Sequence, residues 1–166
     1  MTNARVIRRE LPTGEFTFTA DCAGDDGELV LLLHGFPQTS HTWRHQLPAL
    51  ADSQGAQRFH VVGHDWGGQI AWLVAAWTPR RVASLTVLSR PHPAAFAAAI
   101  KQDEFQAGRS KHHRAFLAPD TAEGTASRVT GPYTFVELGG VNHFITDEKP
   151  QPVTDHLIGH VQEHTA

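Results

Sequence analysis

The stretch from Arg58 to Trp77, RFHVVGHDWGGQIAWLVAAW, limits what this chain can fold into more than any other part of it. A short apolar run at Phe59, Val61 and Val62 leads into a glycine-dense turn carrying one carboxylate, and Ile70, Val74 and Trp77 follow at helical spacing. The pattern predicts a strand, a sharp turn and a helix. Within the turn, Gly63, Asp65, Gly67 and Gly68 take the informative places of a small-x-nucleophile-x-small-small pattern, a nucleophile elbow. A reactive side chain displayed on a tight, strained turn needs neighbours without Cβ atoms, so that strand and helix can approach closely. At the amino end of the helix Asp65 also faces unpaired N–H groups and the positive end of the helix dipole, a setting suited to a nucleophilic carboxylate.

The flanking segments continue the alternation. Residues 5–11 and 15–20, parted by Pro12-Thr13-Gly14, predict an antiparallel hairpin at a sheet edge. The continuous apolar character of 28–33 predicts a central parallel strand buried on both faces. It ends in His34-Gly35-Phe36-Pro37, after which Trp43, Leu47 and Leu50 fall at i, i+4, i+7 on a helix that Pro48 must kink or restart. Beyond the stop at Thr78-Pro79, Val82 to Leu88 supplies another buried strand and Pro93 opens an alanine-rich helix. Asp120 caps a short helix reaching Val129, Tyr133 to Leu138 reads as a last strand, and Pro152 opens a final helix with Val153, Leu157 and Val161 inward. Such alternation predicts an α/β fold, a mainly parallel sheet flanked by helices.

A chain of 166 residues is expected to form a single domain, 1–166, burying about two thirds of its unfolded surface. With a formal charge of −3 and no basic run, it does not present itself to nucleic acid or to an anionic membrane. Cys22 is the only cysteine, which excludes an internal disulfide and a cysteine-built zinc site and leaves an inert thiol. No signal-like or membrane-spanning apolar stretch is visible, so a cytoplasmic protein is expected. The 12 histidines need separate accounts. His64 points to the far side of the turn for packing or hydrogen bonding, and His34 serves its own loop. His156, His160 and His164, at i, i+4, i+8 on the final helix, read as a solvated face rather than a metal stripe. Trp43, Trp72 and Trp77 are expected in the core.

Three motifs occur in order: HGFP at 34–37, GHDWGG at 63–68 and GVNHF at 140–144. With these the chain resembles the α/β-hydrolase superfamily, in its epoxide hydrolase and haloalkane dehalogenase branch and in an internally shortened form. The resemblance implies that Asp65 attacks a substrate carbon to give an alkyl-enzyme ester, and that His143 activates the water that hydrolyses it. It further implies an oxyanion hole from the backbone N–H groups of Phe36 and Trp66, a small apolar electrophilic substrate, and no metal or organic cofactor. The HGFP spelling favours the epoxide side; the Trp66 indole, as a halide donor, would serve the dehalogenase alternative.

The departures concern what lies between the motifs. Family members carry another strand and helix between the helix ending near Leu50 and the elbow strand, where this chain has only ADSQGAQ. The strands around Leu31 and Val62 are neighbours in the family's sheet order. Residues 94–119 remain as a cap remnant, and the expected place of the triad acid falls near Lys111-His112-His113-Arg114, so the acid is unassigned. Asp103, Glu104 and Asp120 match it in type but not in position, and Tyr133 is the only tyrosine where epoxide hydrolases use two from the cap. The alternative expectation is therefore an impaired scaffold that at most binds a small apolar ligand and self-associates through uncovered apolar surface.

Overall fold

The computed structural model describes residues 5–24, 28–50, 58–102 and 124–164. Its centre is a parallel sheet of β3 (Leu29–Leu33), β4 (Phe59–His64) and β5 (Val82–Leu88) in the order β3-β4-β5. Leu31 stands opposite Val61, and Val61 opposite Leu85. Because successive side chains of a strand point to opposite faces, Val62 joins Trp43, Leu50, Val153, Leu157 and Val161 in one buried cluster. Val61 joins Ala71 and Val82 in another, on the side of helix α2 (Trp66–Trp77). The middle strand, β4, is buried from His60 to His64.

Two expectations about the sheet are corrected. β3 lies at an edge of the described sheet rather than at its centre: Val30 and Leu32 pack against the first cluster, while Leu29 is 59% exposed and Leu31 is also exposed. A continuous apolar run has no period to tell a central strand from an edge one. The hairpin of β1 (Ile7–Thr13) and β2 (Phe16–Cys22) forms a separate two-stranded sheet, turning at Gly14 with φ +61°, instead of lining the main sheet's edge. Asp21 fastens it: its carboxylate accepts from Arg8 Nε at 2.9 Å and from Ser40 Oγ at 2.6 Å.

The helical segments follow local chemistry closely. A 3-10 turn over Ser40–Trp43 and a helix α1 over Gln46–Leu50 replace one continuous helix, with Pro48 in the first turn of α1, where a missing N–H costs nothing. α3 covers Pro93–Gln102. The final helix begins two residues earlier than expected: after α4 (Ile145–Glu148), Pro150 opens α5 (Pro150–Glu163), and Val153, Leu157 and Val161 are buried. Tyr133 to Leu138 forms no strand among the described residues and is largely exposed, a ladder requiring a neighbour that an extended segment cannot supply alone. Gly124 to Ala126 is helical; the expected cap Asp120 and most of the cap remnant lie outside the described residues.

The apolar stripe of α2 also differs. Its buried residues are Gly67, Gly68 and Ala71, whereas Ile70 is exposed and Trp77 is 75% exposed, so Trp77 is not a core residue. The helix lies so close to the sheet that small residues occupy the contact. Trp43 is buried as expected, and Trp72 is half-buried with its indole N–H directed at the Arg90 carbonyl.

One buried polar group links β4 to β5 and to the residue just before β3. His60, 1% exposed, places Nε2 2.8 Å from Glu28 Oε2 and Nδ1 2.7 Å from Ser84 Oγ. Buried polar atoms without partners are costly, and here each ring nitrogen has one. Replacing Glu28 by Ala is expected to destabilise the fold by about 2–3 kcal/mol, seen as a lower urea midpoint at unchanged denaturant slope.

Candidate active site

The elbow is set by close backbone approach. Asp65 has φ 51° and ψ −115°, a left-handed conformation that a non-glycine residue holds only when its surroundings impose it. They do: a Cβ on Gly67 would lie 2.1 Å from the Leu33 carbonyl oxygen, and one on Gly63 would lie 2.4 Å from the Gly67 oxygen. The Asp65 N–H donates to the Leu88 carbonyl at 3.2 Å, and its own carbonyl accepts from Gln69 N–H at 3.1 Å, starting α2. β3, β4 and β5 therefore all end beside this residue, and its side chain emerges at the carboxyl ends of the strands, where open α/β sheets bind ligands.

Asp65 is 8% exposed, and its two oxygens have different neighbours. Oδ2 accepts from the Phe36 N–H at 3.3 Å; Oδ1 stands 3.9 Å from His143 Nε2. The structure thus brings together Asp65, His143 and the Phe36 N–H. Trp66 opens α2 directly behind them, with an exposed indole facing the Arg90 guanidinium at 5.1 Å. His34 bonds within its own loop, Nδ1 to the Gly35 carbonyl at 3.0 Å. The segment Lys111-His112-His113-Arg114, with Asp103, Glu104 and Asp120, lies outside the described residues.

Comparison with known proteins bears on this geometry. A family model described as the alpha/beta hydrolase fold matches residues 54–123. Epoxide hydrolase 4 of Mus musculus is 33% identical over 136 residues, covering 58% of this chain and 38% of that protein. Epoxide hydrolase B of Mycobacterium tuberculosis is 35% identical over 104 residues, covering 39% of this chain and 29% of that protein. A laboratory-evolved variant of potato epoxide hydrolase superposes with a TM-score of 0.75 at 14% identity, over 96% of this chain and 100% of the other, a likeness of fold alone.

The chain has an α/β-hydrolase fold. Its sequence is epoxide hydrolase-like in a shortened form, and it spans less than two fifths of the length of those two curated relatives. The shortening is internal. The 136 positions aligned with the mouse protein engage 58% of 166 residues, about 96, so about 40 have no counterpart here. The 104 aligned with the mycobacterial protein engage 39% of 166, about 65, a shortfall of about 40 again.

Two further residues stand at the site: His64, which takes the hydrogen-bonding role expected of it, and Arg90, which the sequence reading of motifs did not include. His64 is fully buried, its Nε2 lies 2.8 Å from the His143 carbonyl oxygen, and the two rings sit 4.8 Å apart. A carbonyl only accepts, so Nε2 carries the proton, and burial pushes the His64 pKa down more than the His143 carbonyl and the Asp65 charge push it up. Arg90, 9% exposed, donates from Nη2 to Gln69 Oε1 at 3.1 Å and lies over the rings of Trp66 and Phe96. Burial lowers its pKa and the Asp65 charge opposes this. Its only sequence signal is an arginine placed two residues after the strand that ends at Leu88.

Polar contacts also tie the loop after β3 to the segment after His143. Thr42 Oγ1 and Thr146 Oγ1 are 2.7 Å apart, Gln38 Nε2 donates to Thr42 Oγ1 at 2.7 Å and to Asp147 Oδ2 at 3.1 Å, and Arg44 pairs with Asp147. Asn142 N–H donates to Glu148 Oε2 at 3.1 Å, closing the histidine loop on α4.

The neutral His64 has a consequence for pH dependence. An unfolded histidine takes up a proton near pH 6.5, whereas folded His64 resists it, so below that pH the unfolded state binds more protons. Stability should be fully present above about pH 6.5 and fall as the solution is acidified through it. In His64→Gln, thermal unfolding measured across this range is expected to show a shallower acid decline than in the wild type.

Proposed function

We propose that the chain is a hydrolase of epoxide hydrolase type that works through an aspartyl ester at Asp65. The observation that carries the reading is the asymmetry of that carboxylate: Oδ2 is engaged by the Phe36 N–H, and Oδ1 faces His143 across a gap too long for a direct hydrogen bond. The relatives named epoxide hydrolase support the reaction class.

In the first step Oδ1 attacks an epoxide carbon; the C–Oδ1 bond forms, the ring C–O bond breaks, and the resulting alkoxide takes a proton from water. In the second, His143 removes a proton from a water molecule that attacks Cγ of Asp65. The negative charge developing on Oδ2 is held by the Phe36 N–H and, in the same reading, by the Trp66 N–H. Collapse breaks the Cγ–Oδ1 bond, the departing alkoxide takes the proton held by His143 to give a diol, and the Asp65 carboxyl gives its proton to the hydroxide left by the first step, regenerating the carboxylate. The substrate is a small apolar electrophile, and no cofactor enters either step.

Intact-protein mass after exposure to a panel of small epoxides tests this. We expect an added alkyl mass on the wild type, none on Asp65→Ala, and a His143→Gln adduct that decays at least about 100-fold more slowly, the usual scale of a lost general base. Failure of every epoxide to label the wild type, with no diol formed, would overturn the reading.

A second reading, a scaffold that self-associates, is favoured by one observation: Phe16, Phe18, Leu29, Ile70 and Trp77 are all exposed. Large exposed apolar side chains are the raw material of self-association. Light scattering during size exclusion is expected to report a homo-oligomer, and a Leu29→Lys change on the open side of β3 to shift it towards monomer.

A further inference from the structure

The last turn of α5 gathers two imidazoles and a carboxylate that the proposed chemistry does not use. His160, Glu163 and His164 stand in the order H-x-x-E-H, and residues three and four apart share a helix face. One ring nitrogen from each histidine and one Glu163 carboxylate oxygen lie within 4.8 Å of one another, and the two ring centroids are 4.4 Å apart.

This arrangement departs from the solvated face expected for His156, His160 and His164. His156 is exposed, but His160 is half-buried, and Glu163, which the i, i+4, i+8 pattern skips, takes the third place. The ring nitrogens are prepared as ligands. His164 Nδ1 lies 2.8 Å from the His160 carbonyl oxygen. That carbonyl fixes the proton on Nδ1 and leaves the Nε2 lone pair available, the way metal-bound histidines are commonly oriented. His160 Nε2 is buried and has no hydrogen-bond partner among the described residues.

We propose that His160, Glu163 and His164 form a binding site for a divalent first-row transition ion, with Zn²⁺ as the reference case. Two imidazoles and one carboxylate suit that class, whereas calcium and magnesium prefer all-oxygen shells. Bonds of about 2.0–2.1 Å would set the donors roughly 3.3 Å apart in a tetrahedron, so donors now within 4.8 Å of one another would draw together by up to about 1.5 Å on binding. The fourth position is left to water. Since Val153, Leu157 and Val161 anchor the same helix in the core, the ion would act as a clasp on its last turn, stabilising the fold in proportion to occupancy.

The full chain, free of any affinity tag, is titrated with ZnCl₂ by calorimetry and then unfolded thermally with and without the ion. One Zn²⁺ per chain and a raised Tm are expected. His164→Ala, whose fold is verified by circular dichroism, should bind at least about tenfold more weakly and lose the Tm rise; Glu163→Gln should lose less, and His156→Ala nothing. The proposal is overturned if no saturable uptake occurs below millimolar zinc, or if His164→Ala and His160→Ala bind as the wild type does, which would place the ion on other histidines.

Discussion

A Cβ at Gly67 would stand 2.1 Å from the Leu33 carbonyl oxygen, inside any permitted non-bonded distance, and the carboxyl end of the sheet is arranged around that approach. With backbone against backbone, α2 starts directly under the end of β3, and the only course left for Asp65 is the positive-φ turn that lifts its carboxylate out of the sheet. The same tightness explains why α2 buries glycines and an alanine while its larger apolar residues face outward. Strain at one residue is tolerable when packing on every side leaves no alternative.

The position of His143 rests on a different kind of force. Its loop is not part of the sheet; it is held by hydrogen bonds, from His64 to its carbonyl, from Asn142 to Glu148, and through Thr42 and Thr146 beneath. Buried polar contacts of this sort add little net stability each, but they become expensive once one partner is removed. They therefore specify geometry more than they hold the fold together. The carboxylate is placed by steric exclusion and the imidazole by hydrogen bonding.

The parts of this protein that could be read from its sequence are those set by residues close together in the chain. The elbow glycines, the stop at Thr78-Pro79, the strand Val82–Leu88 and the inward face of the last helix each follow from local spacing. Contacts such as His64 with His143, 79 residues apart, or Thr42 with Thr146, 104 apart, carry no periodic signal. Arg90 belongs with them. Burial at β3 was misjudged for the same reason, because whether a strand's second edge is covered depends on segments elsewhere. On the last helix the i, i+4, i+8 spacing of the histidines leads to His156, whereas the carboxylate one residue before His164 completes the observed group.

The edge position of β3 bears on how the elbow keeps its support. β3 and β4 are joined directly in parallel, Leu33 against Gly63, although a 3-10 turn and α1 lie between them in the order of the chain. Order along the chain and order across the sheet are independent here, so the ladder beneath Asp65 runs unbroken from β3 to β5. Among the described residues β3 pairs with a strand on one side only, and the support of the carboxylate comes wholly from that side.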